Sequence, residues 1–250
     1  MQAKFQHALV IGASSGIGEA LARRLAADGC RVALVARRRA ELERIAGEIN
    51  ADAGEGRALF YEHDVRNAGE VPSLLQEIAR ALGGLDLVIY AAGVLPRVAF
   101  DEYDTAKDLA TLNVNLLGAI AWLNPVAARF NRLRRGTIVG IGSVAGDRGR
   151  SGAPAYNTSK AALHTYLEAL RNRIGRYGVR VVTVKPGFVD TAMVTGMGKL
   201  PLVVSPERAA RLILKHARSG SLVAYIPARW WLASLIVRAI PSWLFRRLKV

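Results

Sequence analysis

Seven short apolar runs punctuate the chain, and longer stretches with roughly 3.6-residue apolar spacing separate them. The runs are His7 to Ile11, Arg31 to Val35, Ala58 to Tyr61, Leu85 to Tyr90, Thr137 to Ile141, Val179 to Val184 and Leu222 to Ile226. Most are apolar throughout rather than alternating, which predicts strands covered on both faces. Helices are predicted over Glu19 to Ala27, Ala40 to Asn50, Val71 to Leu82, Lys107 to Arg132, Ala155 to Tyr177 and Pro206 to Arg218. Ser205 suits the N-cap of the last, with Pro206 in its first position. Pro125 is expected to kink the fourth. Strand–helix alternation of this kind implies an α/β fold with a parallel sheet and right-handed crossovers. A ligand then belongs beyond the carboxyl ends of the strands.

The 250 residues carry no Pro/Gly/Ser-rich linker and no internal repeat, so one domain is expected. The single cysteine, Cys30, excludes an intrachain disulfide and reads as a small core residue in a reduced, cytoplasmic protein. Met1 to Phe5 lead straight into the first strand with no apolar signal core, so no export signal is read. The formal charge of +15 changes the picture through its distribution. Glu207 is the last acidic residue. Arg208, Arg211, Lys215, Arg218, Arg229, Arg238, Arg246, Arg247 and Lys249 follow it. No nucleic-acid motif or aromatic-interleaved basic patch accompanies that charge, so no nucleic-acid partner is expected.

Candidate chemistry begins after the first strand, at Gly12-Ala13-Ser14-Ser15-Gly16-Ile17-Gly18. Set between a strand and a helix, the three glycines suit a dinucleotide turn. Gly12 permits a tight turn, Gly16 lets the backbone approach a pyrophosphate, and Gly18 allows close helix–strand packing. The helix start offers free N–H groups to the anion. After the second strand, an Asp or Glu would accept from the ribose hydroxyls of NAD. The chain has Ala36-Arg37-Arg38-Arg39 there. Arginines suit a 2′-phosphate, so NADP(H) is the expected cofactor, with Arg37 the first choice of ligand and Arg38 the second. No metal is expected.

Tyr156 and Lys160 lie four apart in a predicted helix and therefore share a face. A cation beside a phenol favours phenolate, which suits general acid/base work. Ser143 follows the fifth strand and reaches the same sheet edge, where its hydroxyl can bond a substrate oxygen.

Together with Asp64-Val65, Ala91-Ala92-Gly93, Asn115-Leu116-Leu117-Gly118 and Pro186-Gly187 with Thr191, these motifs make residues 5 to 227 resemble the short-chain dehydrogenase/reductase family. The resemblance implies a Rossmann-type, doubly wound, seven-stranded parallel sheet in the order 3-2-1-4-5-6-7, with helices on both faces. It makes Tyr156 the acid/base, Ser143 the substrate anchor, and Lys160 a ribose ligand that tunes Tyr156. Asn115 would hold a proton-relay water. Asp64 and Val65 would flank the adenine, Ala91 to Gly93 would border the cofactor, and Pro186, Gly187, Val189 and Thr191 would cover the nicotinamide. A homo-oligomer, dimer or tetramer, is also implied. Two positions depart from the family pattern. Ile11 stands where threonine is usual, and Tyr90 where asparagine is usual. Of Asn113 and Asn115, only Asn115 has the Leu-x-Gly context.

The family core, residues 1 to 227, is complete at Pro227, and 228 to 250 form a basic, Trp-rich extension of the same domain. Its apolar run is broken by Arg238 and Pro241 and is shorter than the roughly 20 residues of a membrane span. Two readings stay open: a segment lying in the membrane interface on the cytoplasmic side, or helices packed on the core or on another subunit. The extension and Ser143 to Arg150 also resemble a bacterial branch that includes reductases of polyprenylphosphate-linked keto-sugars. The apolar stretch Val189 to Leu202, with Met193 and Met197, fits a cover over a lipophilic ligand. The functional expectation is an NADP(H)-dependent enzyme interconverting a ketone and a secondary alcohol, on a small or lipid-linked substrate. A non-catalytic NADP-binding sensor or scaffold is the alternative.

Overall fold

The computed structural model describes residues 5–248, so Met1 to Lys4, Lys249 and Val250 of the expected units lie outside the described residues. Its strands are β1 (His7–Ile11), β2 (Arg31–Ala36), β3 (Ala58–Glu62), β4 (Leu87–Tyr90), β5 (Gly136–Ile141), β6 (Val179–Pro186) and β7 (Val223–Ile226). They form one parallel sheet in the order β3-β2-β1-β4-β5-β6-β7. The helices are α1 (Gly16–Ala27), α2 (Arg39–Ala53), α3 (Val71–Leu82), α4 (Thr105–Leu112), α5 (Gly118–Leu133), α6 (Pro154–Ile174), α7 (Pro206–Ser219), α8 (Trp230–Ala239) and α9 (Ser242–Phe245).

Continuous apolar strands feed two cores because successive side chains leave opposite faces of the sheet. Ala8, Val10, Val32, Leu34, Leu87, Ile89, Val182 and Val184 enter the layer closed by α1, α2 and α7. Leu9, Ile11, Ala33, Val35, Val88, Tyr90, Val179 and Val181 enter the layer closed by α3, α5 and α6. Cys30 lies in the first core, where burial pushes its thiol up to about 12 and keeps it protonated. Ser205 caps α7 by accepting from the Arg208 N–H at 3.2 Å.

The long predicted helix over 107–132 departs from expectation. It loses α geometry at Asn113–Leu117, where a π turn joins α4 to α5, while α5 runs on through Pro125. In the π turn the Gly118 N–H bonds the Asn113 carbonyl. The Val114 carbonyl, which Gly118 would take in an α-helix, instead accepts the buried Tyr90 hydroxyl at 2.6 Å. A Cβ on Gly118 would lie 2.7 Å from that hydroxyl. Tyr90, the unusual residue of the fourth strand, is thus built into the turn. The 105–133 stretch is long and apolar enough to match a membrane span, but its inner face, with Trp122, Val126 and Phe130, belongs to the second core.

The extension has two faces. Trp230 is buried and packs edge-on against Phe188 at 5.5 Å, and the Ser234 hydroxyl donates to the Asp147 carboxylate. Arg148 donates to carbonyls at the end of α8, including Val237 at 2.7 Å, and stacks over Phe245 at 4.0 Å. Trp231, Leu232, Leu235, Ile236 and Trp243 face outward, each half or more exposed.

Candidate active site

A cleft of about 730 Å³ opens beyond the carboxyl ends of the strands. It lies where the strand order reverses between β1 and β4. The chain leaves β1 at Gly12 with φ +90°, a conformation that suits glycine, and a Cβ there would collide with the Ala91–Ala92 backbone. A Cβ on Gly18 would strike the Gly12 carbonyl, so α1 seats directly on the turn. Gly16, at φ +57°, approaches the Thr191 side chain. Ser15 is the N-cap of α1 but makes no side-chain cap bond, which leaves first-turn N–H groups without a side-chain partner. Those groups and the glycine cradle fit a dinucleotide pyrophosphate.

The arginines divide differently from the order expected. Arg38 lies against the glycine turn, donating to Ser15 Oγ at 2.7 Å, Ser14 Oγ at 2.9 Å and the Ser14 carbonyl at 3.1 Å. Arg37 is half exposed, with Asp64 3.9 Å away. Both line the cleft, and so does Val65. Asp64 does not. Arg66, at 2.6 Å, occupies its carboxylate and holds it below the usual carboxylate range. No Asp or Glu lines the cleft among the described residues.

Ser143, Tyr156 and Lys160 meet in the same cleft, with Ala91 to Gly93, Pro186, Gly187, Val189 and Thr191 along its wall. Lys160 is 4% exposed and donates to the Ile141 carbonyl at 3.0 Å, and its ammonium sits 5.6 Å from the Tyr156 ring centre. Burial lowers Lys160 to about 8. Burial also raises the Tyr156 hydroxyl, and the Ser143 hydroxyl partly offsets this. The direction at Tyr156 is therefore opposite to the one expected from helix spacing. Desolvation penalises phenolate more than the neighbouring groups favour it.

Asn115 is fully buried in the π turn and does not line the cleft. Its amide bonds the Val94 backbone both ways, at 2.8 and 3.0 Å, and donates to Ser159 Oγ at 3.1 Å. It ties the β4–α4 connection to α6. Asn113 is exposed.

Sequence reasoning missed a supporting layer. His164 Nε2 accepts the Ser143 N–H at 3.3 Å, and its ring fills the space that side chains on Gly142 or Gly146 would need. Burial, with Lys185 nearby, brings His164 down to about 3, so it stays neutral. It continues the four-residue spacing of Tyr156 and Lys160, a signal that was legible. The Asp147 side chain is buried and accepts from Lys185 at 2.5 Å, from Tyr225 at 2.9 Å and from Ser234. Burial alone would raise this carboxyl, but bonds from Lys185 and Ser234 more than offset that and keep it below its ordinary value. Arg97 and Arg150 also line the cleft and carried no sequence signal.

Residues 6–199 match the short chain dehydrogenase family. An uncharacterised oxidoreductase of Myxococcus xanthus is 33% identical over 96% of this chain and 95% of its own. One from Mycobacterium tuberculosis is 30% identical over 97% and 96%. Among solved structures, a short-chain dehydrogenase from Sphingobium yanoikuyae in complex with NADPH superposes with a TM-score of 0.81 at 25% identity, covering 95% of this chain and 97% of that one. A second, a short chain dehydrogenase/reductase family protein, gives 0.79 at 28% identity, covering 90% and 97%.

The lowered Lys160 has a measurable consequence. A lysine in the unfolded chain titrates near ~10.4, so between about pH 8 and that value the unfolded state holds more protons. Stability should rise with pH across this window, and the cost of burying the cation is present in full below it. Lys160→Met removes the titrating group. The difference in unfolding free energy between this variant and the wild type, measured in urea without cofactor, should shift in favour of the wild type across that window. A difference that does not change with pH would mean that Lys160 titrates as in water.

Proposed function

Because the chain belongs to the short chain dehydrogenase family of oxidoreductases, we propose that it interconverts a ketone and a secondary alcohol with NADP(H), with Tyr156 as general acid and base. The observation that carries this reading is the meeting of Ser143, Tyr156 and Lys160 in one cleft with the glycine turn. NADPH, when bound, supplies a hydride to the carbonyl carbon. Ser143 hydrogen-bonds the carbonyl oxygen, and Tyr156 donates its proton to that oxygen as negative charge develops there. The Lys160 ammonium then faces the new tyrosinate. A phenol that burial keeps protonated suits reduction, because the resting group is the acid. In the reverse direction Tyr156 must first lose its proton, which Lys160 favours.

Arg38, Ser14 and Arg37 are the ligands we assign to the 2′-phosphate, and the carboxylate-free wall supports NADP(H) over NAD(H). The NADPH-bound relative agrees with that choice. Phe188, Met193, Val194 and Met197 line the cleft together and support a lipophilic or lipid-linked substrate. The exposed apolar face of α8 and α9, beside Arg229, Arg238 and Arg246 and free of carboxylates, fits an anionic membrane surface on the cytoplasmic side. Leu109, Leu117 and Leu133, exposed on α4, the π turn and α5, support a homo-oligomer.

Tyr156→Phe should bind NADPH as the wild type does while turnover falls by roughly 10²- to 10⁴-fold. Unchanged turnover in the purified variant would remove Tyr156 from the acid/base role, and NADPH binding without any turnover by the wild type would leave the sensor or scaffold reading in its place.

Replacing Arg37 and Arg38 together by Ala should weaken NADPH binding far more than NADH binding, since each charge-assisted contact is worth roughly 1.5–3 kcal/mol. Equal losses for the two cofactors would refute the phosphate assignment.

The full chain should co-sediment with vesicles rich in anionic phospholipid and less with neutral ones. Trp231→Ser with Trp243→Ser should remove the part of that binding that resists high salt, because buried apolar area is insensitive to screening. Absence of binding to either vesicle would reassign this face to protein–protein contact.

A further inference from the structure

Ser143 is held in place by a side chain that has no part in the chemistry proposed above. Its Oγ accepts the Ala145 N–H at 3.1 Å, which leaves the hydroxyl proton for Tyr156 or a substrate oxygen. Its own N–H donates to His164 Nε2 at 3.3 Å. A backbone N–H has nothing to accept with, so Nε2 is the bare nitrogen of a neutral ring and the ring proton sits on Nδ1. Nδ1 lies 3.9 Å from Asp147 Oδ1, too far for a hydrogen bond but close enough for the carboxylate to favour the proton there. The His164 side chain is 11% exposed and the Asp147 side chain 4%, so little water screens that attraction. Asp147 is fixed in turn by Lys185 on β6, Tyr225 on β7 and Ser234 on α8. The ring has little choice of place, since Cβ atoms on Gly142 and Gly146 would lie 2.3 and 2.7 Å from it.

We infer that His164 is a positioning residue for the reaction: it fixes the Ser143 backbone, and so the Ser143 hydroxyl against Tyr156, with Asp147 setting its tautomer and Ser234 carrying the chain of contacts to α8. This rests on the acid/base reading of Tyr156. A reacting group misplaced by about 1 Å can cost two orders of magnitude in rate. The Ser143 hydroxyl lowers Tyr156 against the opposing effect of burial, so a displaced Ser143 leaves Tyr156 a weaker acid. Ser143 and Lys160 face Tyr156, and Lys160, Lys185 and Asp147 face His164.

The test uses the full chain with NADP(H), acetophenone and the alcohol derived from it. In isotope-labelled wild type, the imidazole nitrogen NMR shifts of His164 should report the neutral Nδ1–H tautomer from about pH 5 to about pH 8. An Nε2–H tautomer or an imidazolium in that range overturns the proposal without any turnover or any variant. His164→Leu, which has no acceptor, should lower kcat per NADPH-binding site roughly ten- to a hundred-fold, with KM for NADPH unchanged. Alcohol oxidation needs the Tyr156 phenolate, so the pH at which its rate rises should move upward in this variant. His164→Gln offers an amide oxygen at similar reach and should restore part of both quantities. Ser234→Ala should move both in the same direction as His164→Leu, by less. A loss of stability alone would leave the pH limb where the wild type has it. An unmoved limb in His164→Leu, beside an inactive Tyr156→Phe, therefore overturns this proposal alone. A fully active Tyr156→Phe removes the acid/base reading, and the proposal with it.

Discussion

Backbone meets backbone at the end of β1. Gly12 lies so close to Ala91 and Ala92, and Gly18 so close to Gly12, that neither glycine has room for a Cβ. Much else follows from that approach. It lets α1 start against the sheet with its N–H groups turned to the cleft, and it brings the ends of β1 and β4 together where the strand order reverses. β5 then carries Ser143 to the same rim, and α6 returns across it with Tyr156, Lys160 and His164 on one stripe. The chemistry sits where it does because a parallel sheet delivers every strand's carboxyl end to one side.

Hydrogen bonds within the protein hold the buried charges around the site. Lys160 is buried with a carbonyl for its acceptor, Asp147 with an ammonium and two hydroxyls, and His164 is held neutral. Such groups persist in a low-dielectric setting only when hydrogen bonds satisfy them. Asp147 and Arg148 also bind the extension, through Ser234 and the end of α8. The loop that starts at Ser143 is thereby supported from the far end of the chain. The inner face of the extension packs on the core through Trp230 and Ser234, and its outer face is apolar and exposed.

Local sequence determined much of the fold. Strand positions, two-sided burial, the α7 cap and the glycine turn were all readable because each rests on short-range rules of periodicity, capping and backbone freedom. The resemblance gave the sheet order, which the structure has. Of the expected site residues, all but Asp64 and Asn115 line the cleft. What only tertiary structure decided are the matters that depend on neighbours far along the chain. The π turn forms around a hydroxyl on β4, 24 residues before its acceptor, so nothing local to 113–117 announces it. Arg38, the residue just before α2, rather than Arg37 lies on the glycine turn. Asp64 turns to Arg66, and burial moves Tyr156 in the direction opposite to its lysine neighbour. Arg150 looks like any surface arginine in the sequence, and only the cleft around it leaves its Nε buried and unpartnered. Desolvation is a property of the whole packed environment, and no local pattern of residues encodes it.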